Sequence, residues 1–188
     1  MDNSAILNNQ GRALLDSGRP AEALQYIDKS LSINPNISIT WFNKAEALAR
    51  LNRYNEALSC YDTALQINPN STVAARIWHT KGILLMRLNR YNEALYCYDT
   101  ALQINPNDDM LWNNKAYALI AIGNHAEAIN SCDMALRINP NNTSAQNNKR
   151  VAISRLNESV GIERDPSYGD RVRNRISDIE FNASLNEW

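Results

Sequence analysis

LNRYNEALSCYDTALQINPN, residues 51–70, recurs as LNRYNEALYCYDTALQINPN, residues 88–107, with Ser59 against Tyr96 as the one difference. A match of that length marks a duplicated unit. Its closing INPN also occurs at 33–36 and 138–141, so Pro35, Pro69, Pro106 and Pro140 are spaced by 34, 37 and 34 residues. A period of this size is the mark of a repeat architecture, in which each unit completes its core against its neighbours.

Within a unit the apolar period is helical. Trp41, Ala45, Leu48 and Leu51 fall three or four apart, and after a break at Asn52-Arg53 so do Tyr54, Ala57, Leu58, Tyr61, Ala64 and Leu65. Each run gives one apolar stripe on a helix of about 13 residues. The breaks are Gly18-Arg19, Asn52-Arg53, Asn89-Arg90 and Gly123-Asn124. Gly and Asn tolerate the left-handed conformation that ends a helix. Pro20 suits a first helical position, and each second helix ends at Asn-Pro because the residue before proline is pushed out of the α region. The 27 asparagines fit a chain with many helix ends, since Asn favours caps and turns.

This helix–turn–helix pattern resembles the tetratricopeptide repeat. The early aromatic place holds Trp41, Trp78 and Trp112, with Leu7 in the first unit. The small residue one turn on is Gly11, Ala45, Gly82 or Ala116. The second helices carry Ala23, Ala57, Ala94 and Ala128, then Ser30, Ala64, Ala101 and Ala135, with Ile27, Tyr61, Tyr98 and Cys132 between. Gln10, Lys44, Lys81 and Lys115 stand where the family often has Leu; a Lys stem can lie along apolar surface with its ammonium in water. The resemblance implies an all-α, right-handed superhelical solenoid of antiparallel helix pairs. Four repeats are expected over 4–142 (about 4–37, 38–71, 75–108 and 109–142), then a capping helix at 143–157 with a polar outer face. Residues 158–188 are expected to be a tail, partly helical or flexible; Val172, Ile176 and Ile179 keep helical spacing, so the alternative is a short amphipathic helix that docks on its own solenoid, on a second copy or on a partner. Pro69 lies nine residues before Trp78 rather than six, which predicts an N-terminal extension of the fifth helix capped by Ser71 or Thr72, the alternative being a tolerated loop insertion.

Lys plus Arg is 19 and Asp plus Glu is 20, which argues against a bulk electrostatic grip on nucleic acid or an anionic membrane. No apolar run approaches the length of a membrane helix. MDNSAILNNQ has neither the basic nor the apolar region of a secretory signal. Three cysteines make no closed disulfide set, which fits a reducing, cytoplasmic setting. His79 and His125 lack partners at metal-ligand spacing, and no phosphate-cradling glycine loop is present. The expectation is therefore a protein with no enzymatic activity, cofactor or metal.

Function then falls to surface. The resemblance implies a concave groove lined by first helices. By register its lining is Ala5, Asn8, Asn9 and Arg12; Ile39, Phe42, Asn43 and Glu46; Arg76, His79, Thr80, Ile83 and Met86; and Met110, Asn113, Asn114, Tyr117 and Ile120. Asn amides can bond a peptide backbone through donor and acceptor, while Phe42, Tyr117, Met86 and Met110 can bury side chains. Some family members grip a partner's C-terminal carboxylate. Here Asn43 and Arg76 occupy clamp places, whereas Asn8, Arg12 and Thr80 replace the Lys, Asn and Arg found there. Arg12 and Arg76 could hold a carboxylate, or both are solvated surface. The expected function is an adaptor or scaffold that binds a peptide or helix of another protein. The alternative is self-association into an oligomer through the tail or end repeats.

Overall fold

The computed structural model describes residues 3–69 and 71–159, so the expectations for the tail from 160 onward lie outside the described residues. Regular structure among them is helical throughout: α1 (Asn3–Asp16), α2 (Pro20–Ile33), α3 (Ser38–Arg50), α4 (Tyr54–Ile67), α5 (Thr72–Arg87), α6 (Tyr91–Ile104), α7 (Asp109–Ala121), α8 (His125–Ile138) and α9 (Thr143–Ser159). The helices pair as α1/α2, α3/α4, α5/α6 and α7/α8, and α9 packs on α7 and α8. The first helices α1, α3, α5, α7 and α9 approach one another in chain order, whereas α2, α4, α6 and α8 do not. The stack therefore curves toward its first helices, and the fold is an all-α helical-repeat solenoid.

Each pair turns through a left-handed residue. Gly18, Asn52, Asn89 and Gly123 have φ of 73, 61, 58 and 82°. Around each, two backbone bonds close the preceding helix, as in Arg53 N to Leu48 O at 2.9 Å and Asn52 N to Ala49 O at 3.1 Å. The same two bonds recur at the other three breaks, a repeated Schellman arrangement that satisfies otherwise orphaned carbonyls.

Packing inside a pair follows from size. Ala23, Ala57, Ala94 and Ala128 are fully buried, as are Ile27, Tyr61, Tyr98 and Cys132 one turn on. A Cβ on Gly11 would lie 2.6 Å from Ile27 Cγ1, and one on Gly82 would lie 2.5 Å from Tyr98 Cε1. The small residue of the first helix thus lets the bulky one of the second come against its backbone.

Neighbouring pairs are tied by a lysine layer. Lys44 Nζ stands 5.4 Å from the centroid of the Trp41 ring and 2.8 Å from Asp28 Oδ1 on the preceding second helix. Lys81 repeats this with Trp78 and Asp62, Lys115 with Trp112 and Asp99, and Lys149 pairs with Asp133. The ammonium groups are therefore ion-paired rather than simply hydrated. With the aspartates about half exposed, each pair adds at most about 1 kcal/mol.

Trp41 Nε1 donates to Pro35 O and Trp112 Nε1 to Pro106 O, and in α9 Gln146 Nε2 takes over the same role toward Pro140 O. Among the described residues Trp78 makes no such bond, and the three extra residues before it are used differently. They belong to α5, which is 16 residues long and capped by Ser71, whose hydroxyl accepts from Ala74 N at 3.1 Å.

Candidate functional site

The inner face is organised by side-chain bonds between successive first helices. Asn43 Nδ2 donates to Asn8 Oδ1 at 2.8 Å, Asn114 Nδ2 lies 2.8 Å from His79 Nε2, and Asn148 Nδ2 donates to Asn113 Oδ1 at 2.9 Å. In each case the residue just after the Trp place meets the residue two after it on the next first helix. Burial lowers the His79 pKa, against a smaller opposing pull from Asp108. The neutral ring can thus accept the Asn114 amide proton.

Among the described residues the rung between α3 and α5 is absent. Phe42 stands where the other helices have Asn or His, and Thr80 stands where they have Asn. Thr80 Oγ1 donates to Arg76 O instead. Phe42, expected to offer its ring to a ligand, is 3% exposed. It packs against Tyr61 with ring centroids 5.9 Å apart, and the Arg76 guanidinium lies 4.7 Å from its ring centroid. Phe42 is thus part of the core beneath the inner face rather than an open contact.

Several other expected contacts are also engaged within the chain. Asn8 and Asn43 are buried and bond each other. Arg12 pairs with Asp16 at 2.9 Å and with Glu46 at 2.5 Å. Arg76 is exposed and makes no ion pair among the described residues. Asn8, Asn9, Arg12, Ile39, Asn43 and Arg76 line a cavity of about 280 Å³. Asn43 Oδ1 is a buried acceptor with no partner among the described residues.

The open part of the face lies on α5 and α7. Arg76 and Ile83 are two turns apart on α5, and Met110 and Tyr117 hold the matching places on α7. Ile83, Met110 and Tyr117 are 41, 59 and 57% exposed, which is unusual for large apolar side chains grouped on one surface. The His79–Asn114 bond falls inside this four-cornered patch. Asn9 is exposed at the far end of the face, while Met86 and Asn113 are half-buried. Val151 on α9, 43% exposed, continues the row of Ile83 and Tyr117. Carrying the register one unit further, with Gln146 at the Trp place, would have found it.

Cys60, Cys97 and Cys132 are free and buried. Burial raises all three thiols, Cys97 to about 12 and Cys132 to about 11, which suits packing rather than nucleophilic chemistry. Among the described residues no cluster of His, Cys, Asp and Glu could hold a metal, and no helix is long and apolar enough to cross a membrane.

Family models described as tetratricopeptide repeat match residues 4–37, 36–107 and 79–143. The chain belongs to the tetratricopeptide repeat family. A search of curated proteins found no match. Among solved structures, a tetratricopeptide repeat protein from Parabacteroides merdae aligns at TM-score 0.74 and 19% identity, covering 84% of this chain and 62% of that one. MamA from Desulfovibrio magneticus RS-1 aligns at 0.69 and 21%, covering 87 and 97%. YrrB, described as a TPR protein with an unusual peptide-binding site, aligns at 0.65 and 18%, covering 89 and 90%. At these identities the likeness concerns the fold.

Proposed function

We propose that this chain is a non-enzymatic protein-interaction module, an adaptor or scaffold that takes a peptide or helix of a partner protein along its inner face. The observation that carries this reading is the patch of Ile83, Met110 and Tyr117, exposed on adjacent first helices around the His79–Asn114 bond. A bound segment would bury these side chains. An acidic group on it would meet Arg76, whose guanidinium is already positioned over Phe42. Arg12 is the weaker candidate for that role, because Asp16 and Glu46 already neutralise it. Three free, buried thiols support a cytoplasmic setting.

The test is selection of displayed random peptides on the full chain, followed by titration of the best binder against an Ile83→Asp variant. Placing a carboxylate in the patch is expected to weaken binding by at least about tenfold, close to 1.4 kcal/mol. Selected binders that are indifferent to Ile83→Asp would move the site off the inner face.

A further inference from the structure

A second opening lies between the turn that leads into α3 and the one that leads into α5. Ile37, Ile39, Ile67 and Val73 line a cleft of about 320 Å³, with exposed Asn36 and Asn68 at its edge. All four apolar side chains are half-buried, and Ile39 and Val73 also pack on the main core. Ile39 lines the 280 Å³ cavity of Arg76 as well, so the two openings adjoin across one side chain.

Two of these walls are particular to this place. Val73 belongs to the extra turn of α5. Ile37 holds the cap position of α3, with φ −116° and ψ 105°, and makes no side-chain cap bond. Asp108 has nearly the same backbone angles, −118° and 105°, and accepts from Met110 N and Leu111 N at the start of α7. Ser71 and Asn142 do the equivalent for α5 and α9. Ile37 thus gives up a bond for which its backbone is already shaped, and Ser, Asp and Asn are the residues that such a position favours. Departures from a local rule gather at functional places.

Charge sets the occupant. Arg76 stands three residues after Val73, hence on the same side of α5. Arg12, on the same cavity, is neutralised by Asp16 and Glu46, whereas Arg76 makes no ion pair among the described residues. A matching occupant brings an aliphatic side chain for the cleft and a carboxylate for Arg76. In an extended segment, side chains two residues apart point the same way and lie about 6.6 Å apart. That is close to the ~5–6 Å between Cβ atoms three apart on a helix. The amides of Asn36 and Asn68 can bond the backbone of such a segment.

We propose that this cleft and Arg76 together hold an internal, extended segment of a partner protein in which a branched aliphatic residue and an Asp or Glu stand two positions apart. The inference rests on the peptide-binding reading and adds a second anchor to it, since Ile83 lies two turns of α5 beyond Arg76.

The test is a random-peptide library displayed within a loop, so that no free C-terminus is offered, selected on the full chain and on its variants. The wild-type chain is expected to enrich aliphatic–x–acidic segments, and the best of them should bind as an N-acetylated, C-amidated synthetic peptide. Ile37→Asn restores a cap residue, so its urea midpoint should equal or exceed that of the wild type. The same variant should weaken that peptide at least about tenfold, as loss of an anchor pocket does. Arg76→Glu should exchange the acidic preference for a basic one. Absence of the enrichment, an affinity unmoved by Ile37→Asn, an acidic preference that survives Arg76→Glu, or binding that needs a free C-terminal carboxylate would each overturn the proposal. Peptides sensitive to Ile83→Asp but not to Ile37→Asn would overturn it while leaving the peptide reading intact. Peptides with the opposite sensitivity would support it and overturn the patch on α5 and α7.

Discussion

Gly82→Ala tests the packing logic where it is tightest. The added Cβ would lie 2.5 Å from Tyr98 Cε1 and 3.0 Å from both Cδ1 and Cζ. Tyr98 is 1% exposed, so its ring cannot swing into solvent, and overpacking of this kind costs about 1–3 kcal/mol. Against that, Ala is better than Gly in a helix interior by about 1 kcal/mol. The two effects leave a net destabilisation of about 1 kcal/mol, within a range of roughly 0–2. The discriminating measurement is a double-mutant cycle with Tyr98→Cys, which installs the residue that the fourth pair uses at Cys132 opposite Ala116. With the ring removed only the propensity gain remains, so Gly82→Ala should then stabilise by about 1 kcal/mol. The coupling read from urea midpoints should be about 1–3 kcal/mol. If Gly82→Ala stabilises the chain equally in both backgrounds, α5 and α6 do not meet at this register and the stacking argument fails.

Ala57→Leu and Ala94→Leu, at fully buried places, should each cost about 1–3 kcal/mol in denaturant melts; wild-type midpoints would contradict the close approach of α3 to α4 and of α5 to α6. The raised thiols, Cys97 at about 12 and Cys132 at about 11, predict that a thiol reagent at mildly alkaline pH labels the folded chain only at the rate of opening, with rapid labelling after denaturation. His79 is depressed by burial, so the unfolded chain takes up its proton first as pH falls. The corresponding stability is present above the ordinary histidine value of about 6.5 and is lost below it. Thermal melts between pH 7.5 and 5 should decline more steeply for wild type than for His79→Gln, and parallel curves would refute this.

Features set by one helix and its turn were legible in the sequence. The proline period, the Gly or Asn at each break and the alternation of Ala with a bulky residue report local backbone conformation or packing within one pair. The structure shows them as left-handed turns and buried faces. Features that depend on the next pair were less legible. Lys44, Lys81 and Lys115 read as solvated stems because their aspartates lie on a neighbouring second helix. Asn8, Asn43 and Arg12 read as open to a ligand, but the adjacent first helix engages their polar groups. Phe42 shares a register place with Asn8, His79 and Asn113, yet points into the core beside Tyr61 while they bond across the face. Spacing along one helix cannot distinguish these outcomes, because the packing of the next helix decides them.

The chain offers a direct comparison of its two surfaces. Tyr117 and Tyr96 are similarly exposed, at 57 and 65%, but Tyr117 lies on the inner helix α7 and Tyr96 on the outer helix α6. A peptide selected on the wild-type chain should bind the Tyr117→Ala variant at least about tenfold more weakly, near 1.4 kcal/mol, and the Tyr96→Ala variant with unchanged affinity. Loss of binding with Tyr96→Ala and none with Tyr117→Ala would place recognition on the outer layer and contradict the account.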